Sequence, residues 1–311
     1  MKVCGNAMVV GQTKSLSSRI FDVFNVTLML LLGFICLYPM LHVFFGSLSD
    51  PRELFSHRGL ILWPQGWFTE GYRIVFNNPN IWMGYKNTLF YVIVGTAMRT
   101  FMTMLCAYVL YQKSFMPRRI LMLLFVFTMY VSGGLIPGYL LINKLELLNT
   151  PWAIIVPSLI GTWNMIILRT AFAATPDSLE ESARLDGAGD ITVLFRILMP
   201  TNIASIMVIV MYYAVGEWNS WFSAAIYLPL RRDLHPLQLF LREILIFFSD
   251  SGTGDLGSNS GQAQDLGAIG ALIDDIVRYC TIIVATVPIL AIYPFVQKYF
   301  VKGVMMGSMK G

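Results

Sequence analysis

Six stretches of the chain are apolar for about twenty residues or more, the length that a hydrocarbon core of ~30 Å demands of a helix. They cover roughly 20–47, 87–111, 119–141, 152–172, 203–227 and 276–295. The third holds Gly133, Gly134, Pro137 and Gly138 near its end. In lipid each backbone N–H and C=O needs a partner within its own segment, so the runs predict helices. A β-barrel would need short alternating segments, and the sequence has none.

The polar intervals are unequal. Residues 48–86 are mixed in charge and contain Trp63, Trp67 and Trp82. Residues 228–275 open with Leu237, Phe240, Leu241, Ile244 and Phe248 at helical spacing. A Gly/Ser/Asn/Gln-rich stretch follows over 249–270, a loop composition. Lys and Arg set the orientation. Residues 1–18 form a tail with Lys2 and Lys14, and Arg19 follows at its edge; Lys113, Arg118 and Arg119 follow the second run; Lys298, Lys302 and Lys310 lie at the end, the last two in the tail 301–311. None of these segments carries an acid, and six helices put all three on one side, so both termini are expected to be cytoplasmic. The transmembrane domain then covers 19–300, and the loops 48–86 and 228–275 lie outside.

Composition agrees with lipid as the main solvent: 56% of the 311 residues are hydrophobic and 13% are charged, about half the charge of a soluble domain. The net charge of +4 is spread along the chain; without a basic cluster there is no case for nucleic acid. Cys4, Cys36, Cys106 and Cys280 form no paired or metal-ligand spacing and read as apolar filler. His42, His57 and His235 are scattered, and no metal site is expected. The first apolar run is too long for a cleaved signal and reads as a retained anchor. Gly252, Gly254 and Gly257 spell GxGxxG, but without the strand and helix that a dinucleotide motif requires. No Gly-Lys pair exists, so ATP binding through a phosphate loop is excluded.

The most informative interval is 175–200. Thr175 is a candidate N-cap with Pro176 at the first helical position. Asp177, Glu180 and Glu181 sit early, where the helix dipole favours acids. Gly187 and Gly189 stop the helix. Asp190 can cap a second one, with Ile191, Leu194, Phe195 and Leu198 as its apolar stripe. The expected product is a helix, a glycine turn and a second helix at the membrane surface.

These residues carry a resemblance. Glu181-Ser182-Ala183, three residues, Gly187, nine residues, Ile197, Leu198, Met199 and Pro200 resemble the Glu-Ala-Ala motif of ABC importer permeases. Ser182 replaces the first Ala and Met199 replaces Leu; the spacing is kept throughout. Ser132-Gly-Gly-Leu-Ile-Pro137, Leu147-Leu-Asn-Thr-Pro-Trp152, Trp163-Asn164, Arg169-Thr170, Trp218-Asn-Ser-Trp-Phe222 and Phe300-Val-Lys-Gly-Val304 look like the carbohydrate-uptake, maltose-type class, and closest to its complex-oligosaccharide branch.

The resemblance implies an all-α, six-helix type I importer subunit in the bacterial plasma membrane. It implies that loop 175–200 docks on a cytoplasmic ATPase through Glu181, Ser182, Ala183, Asp186 and Gly187. Glu181 would make the charged contact, Ser182 and Ala183 would permit close approach, and Gly187 would form the turn. The implied partners are a second permease, two ATPase subunits carrying ATP and Mg, and an extracytoplasmic sugar-binding protein. No cofactor is expected on this chain, and no catalysis.

Charges inside spans are functional candidates. Arg99 lies mid-way along the second run; Glu217 lies in the fifth, beside Trp218, Asn219 and Trp221 and after Tyr212 and Tyr213. With Asn164 they could line a sugar path, since aromatic faces stack on sugar rings and Asn or Glu bonds hydroxyls. An Arg99 facing that path would favour an anionic sugar such as a uronic acid. The other reading pairs Arg99 with Glu217 as structure and puts the tryptophans in an interfacial belt. A stand-alone secondary transporter or channel is the rival function; it would be expected to show internal repeats, and it gives the 175–200 motif no role. A membrane enzyme would need a clustered set of acid, base or metal groups.

Overall fold

The computed structural model describes residues 16–57, 59–251 and 275–291. The tails with Lys2, Lys14 and Cys4, the GxGxxG stretch, and Lys298, Lys302 and Lys310 lie outside them. Among the described residues the regular structure is all helical, with no strand.

Helix α1 (Leu16–Ser47) is a long apolar rod. Between Ile20 and Ser47 its most apolar window buries nothing against the rest of the chain. Its C-terminal end is fastened: the Tyr38 hydroxyl accepts from the Ile61 N–H at 3.2 Å, Ser47 is fully buried, its hydroxyl lies 2.7 Å from the Tyr72 hydroxyl, and its carbonyl accepts from the Cys280 thiol at 3.4 Å. Two short helices follow, α2 (Pro51–Ser56) and α3 (Glu70–Asn77). Asp50 caps α2 by accepting from the Arg52 N–H, ahead of Pro51 at the first position, and Asn78 caps the next helix in the same way ahead of Pro79.

That next helix, α4 (Pro79–Tyr111), is unbroken over 33 residues, or ~50 Å at 1.5 Å per residue. It starts well before the expected position 87. Asn78 and Pro79 give a start signal that hydropathy alone passes over, because Asn80, Lys86 and Asn87 dilute the apolar run.

The third run is sharply bent. It divides into α5 (Arg118–Tyr130) and α6 (Leu135–Lys144), which meet at 119°. Gly134 makes the corner at φ 86°, a conformation an L side chain resists, and its N–H is held by the Ser132 hydroxyl. The fourth run bends by 48° between α7 (Trp152–Ser158) and α8 (Thr162–Ala173). There the Tyr213 hydroxyl accepts from the Gly161 N–H at 3.0 Å.

The loop helices are α9 (Asp177–Leu185) and α10 (Asp190–Thr201), and α11 (Ile203–Trp218) leaves α10 at 86°. The fifth run therefore ends at Trp218, not 227; α12 (Phe222–Tyr227) is separate. Helix α13 (Leu237–Ser251) and a last helix, α14, over 275–291 complete the described chain. By length and composition two helices can cross a membrane, or up to five among the described residues if each bent pair is one span.

Two apolar cores sit at the two ends of α4. One gathers Tyr108 and Tyr111 of α4, Leu168 and Phe172 of α8, and Leu194 and Leu198 of α10. The other gathers Ile81 of α4, Trp218 of α11, Leu237 and Leu241 of α13, and Val284 of α14. The spacing expected for α13 is met at Leu237, Phe240 and Leu241, all nearly fully buried; the side chain of Phe248 lies outside the described residues.

Candidate functional site

Loop 175–200 forms a helix, a glycine turn and a second helix, with local differences from the expected pattern. Helix α9 begins one residue later than the cap pattern suggests. Thr175 is buried, and its hydroxyl accepts from the Asn202 side chain at 2.9 Å, so it ties the loop's start to its end without capping. Gly187 closes α9 at φ 85°. The Ala188 N–H reaches the Ala183 carbonyl at 2.9 Å and the Gly187 N–H reaches Arg184 at 3.0 Å, the paired bonds of a Schellman turn. Gly189 is extended and precedes α10.

Asp190 does not cap α10. Its carboxylate accepts from Arg184 at 2.7 Å and from the Tyr108 hydroxyl at 2.9 Å. The expected stripe on α10 is also shifted. A wide π turn over Val193–Leu198 changes the helical phase, so Val193, Leu194 and Leu198 are buried while Ile191 is 76% exposed.

Arg184 is the centre of a polar network that sequence reading missed. Its Nε donates to Glu180 at 2.9 Å and its Nη2 to Asp190. Glu180 also accepts from the Tyr111 hydroxyl at 2.9 Å and the Gln112 amide at 3.1 Å. Lys113 reaches Asp177 at 2.6 Å. Burial pushes the Glu180 carboxyl up, but bonds from Arg184, Gln112 and Tyr111 outweigh it and hold it below the usual carboxylate range. Asp190 is held low by the bond from Arg184 and then by Tyr108. The same two carboxylates, Asp190 first, raise Arg184. The i, i+4 spacing of Glu180 and Arg184 was a readable signal for one edge of this network.

With these acids taken, Glu181, Ser182, Asp186 and Gly187 face outward, and Ala183 is half-buried. Glu181 also lines a cleft of about 350 Å³ with Lys113, Ser114 and Asp177. Leu185, 88% exposed, and Met116, 93% exposed, flank this surface. A surface with free carboxylates at Glu181 and Asp186, small neighbours and exposed apolar side chains has the chemistry of a docking surface.

The mid-span candidates divide. Arg99 of α4 and Glu217 of α11 form an ion pair with each other, both nearly fully buried. Arg99 also donates to the Ile154 carbonyl of α7 at 3.1 Å. Trp218 is buried and donates to the Ala285 carbonyl at 3.3 Å. The Trp221 ring lies 3.4 Å beneath the Arg242 guanidinium, a cation–π contact. The Asn219 amide turns back to its own helix, at Val215. Asn164 is half-buried in α8. Tyr213 is internal, bonded to Thr103 at 2.6 Å, while Tyr212 is 43% exposed.

No family model matches the chain. Curated relatives do. The polygalacturonan/rhamnogalacturonan transport system permease protein YtcP of Bacillus subtilis is 36% identical over 95% of this chain and 100% of its own length. Protein LplC of the same organism is 36% identical over 95% of this chain and 96% of its own. The arabinooligosaccharides transport system permease protein AraQ of Halalkalibacterium halodurans is 23% identical over 90% of this chain and 93% of its own. Among solved structures, a bacterial ABC transporter involved in the import of the acidic polysaccharide alginate superposes with a TM-score of 0.80, at 28% identity, over 92% of this chain and 99% of that one. Near end-to-end likeness in sequence and in backbone, on a chain of apolar helices, leads to one assignment: this protein belongs to the permease subunits of the sugar and oligosaccharide ABC transport systems, which are transport components and not enzymes.

Proposed function

We propose that this permease imports an acidic oligosaccharide and takes its driving force from an ATPase seated on loop 175–200. The observation that carries the reading is the outward-facing row Glu181, Ser182, Asp186 and Gly187, on a helix whose other acids are bonded inside the chain. A stand-alone carrier gives that surface no task. Glu181 supplies one charge for register, and Ser182 and Ala183 let a partner's backbone come close. The partners are a second permease, two ATPase subunits holding ATP and Mg, and a sugar-binding protein on the opposite face, where 48–86 and 228–275 lie. The termini are cytoplasmic, on the side of the basic Lys113, Arg118 and Arg119.

An acidic substrate is supported by two likenesses: a relative named for polygalacturonan and rhamnogalacturonan, and a solved neighbour named for alginate. Arg99 does not supply the recognition, because Glu217 already neutralises it. Selection of the anion falls to the second permease or the binding protein. The test is uptake into proteoliposomes holding the complex that purifies with this chain. Trigalacturonate uptake should require ATP and be indifferent to excess maltotriose. Uptake without ATP, or preference for the neutral sugar, overturns the reading.

A further inference from the structure

Both ends of α4 are held by side-chain hydrogen bonds. At the loop end, Arg184 bridges Glu180 of α9 and Asp190 of α10, and Tyr108 and Tyr111 of α4 bond the same two carboxylates. Gln112 and Lys113, just past α4, add bonds to Glu180 and Asp177. At the far end, the Asn87 amide donates to the carbonyls of Asp233 at 2.7 Å and His235 at 3.0 Å. The Tyr91 hydroxyl donates to Leu234 at 2.9 Å, and the Thr88 hydroxyl accepts from the Leu237 N–H at 2.8 Å. Gly84 lets α13 come so close that a Cβ there would meet the Leu237 Cα at 2.9 Å. Between these ends α4 runs over 33 residues without a break, with one π turn at Tyr91–Gly95, whereas the third and fourth runs are bent by 119° and 48° and α11 leaves α10 at 86°.

We propose that Arg184 is the positioning residue that locks both loop helices to α4, so that the loop and this unbroken span move as a single body and carry displacement to residues 232–241 on the opposite face. The inference rests on the reading of the loop as the ATPase contact. Its physical basis is that bent spans can absorb a push at their corners, while an unbroken helix pinned at both ends transmits it. Arg suits the post because its planar fork serves two carboxylates at once, which a Lys ammonium on a flexible stem does poorly.

The test uses the complex that purifies with this chain. Nitroxides are placed on cysteines introduced for the exposed residues Lys86 and Ser178, with Cys4, Cys36 and Cys106 replaced by Ser and the buried Cys280 kept. The distance between the labels is read without nucleotide and after trapping with ATP and vanadate. In the otherwise native chain the distance should stay fixed within ~2 Å between the two states. In Arg184→Leu it should broaden or shift by about one helical turn, ~5.4 Å, on trapping; Arg184→Lys should recover part of the native behaviour. A full-turn shift in the native chain, or an Arg184→Leu distribution that matches the native one in both states, overturns the proposal. A preparation that brings down no ATPase overturns the functional reading beneath it instead.

Discussion

Removing one member of the Arg99–Glu217 pair leaves the other buried and uncompensated. Both side chains are under a tenth exposed, where losing a partner costs about 3–5 kcal/mol and replacing both by apolar groups is near neutral. Arg99→Leu should therefore lower the thermal midpoint of the detergent-purified protein sharply, and Arg99→Leu with Glu217→Leu should recover most of it. A double variant as unstable as the single one would contradict the pairing. Both charges were legible in sequence as anomalies of span interiors. Their partnership was not, because pairing across spans depends on how the helices pack, which no local pattern encodes. The tryptophans were legible as amphipathic anchors, yet Trp218 is taken up by Ala285 and Trp221 by Arg242, groups far off in sequence.

At the scale of elements, local signals located the helices of the loop, and tertiary contacts decided their details. Gly187 was readable as a stop and sits in the left-handed region. A Cβ there would meet nothing within 4 Å, so Gly187→Ala isolates the conformational cost of about 1–2 kcal/mol. It should speed amide exchange in 183–190 while leaving α4 unchanged. Asp190 was readable as a cap, but a buried-end tyrosine and an arginine compete for its carboxylate and win. The third and fifth runs looked continuous because hydropathy counts apolar residues and is blind to a corner at Gly134 or a break at 219–221.

The network also fixes a pH response. Glu180 and Asp190 both have depressed values in the folded chain. Their stabilisation is therefore complete above the ordinary carboxylate range near pH 4 and is lost as pH falls through the lower folded values. Amide exchange of 177–192 should be flat from about pH 7 to 5, after correction for intrinsic rates, and should rise below about pH 4. In Arg184→Leu exchange should already be faster at pH 7 and should depend less on pH, since the main bond holding each carboxylate low is gone.

For the whole molecule, the apolar runs and the placement of Lys and Arg were enough to predict an all-α membrane chain, and the 175–200 motif pointed to its family. The long exposed helix α1 is consistent with a subunit that leaves apolar surface for lipid or a second permease. The coupling role of loop 175–200 depends on what seats on it. The most direct measurement is the ATP hydrolysis that purifies with this chain from membranes, compared between the native chain and Glu181→Lys at equal amounts of chain. The prediction is a vanadate-sensitive activity with the native chain and at least a roughly tenfold loss with the variant, as expected when ~1.4 kcal/mol or more of a charged contact is removed. Equal activity in both preparations would mean that Glu181 does not touch the ATPase, and would contradict the coupling role assigned to the loop.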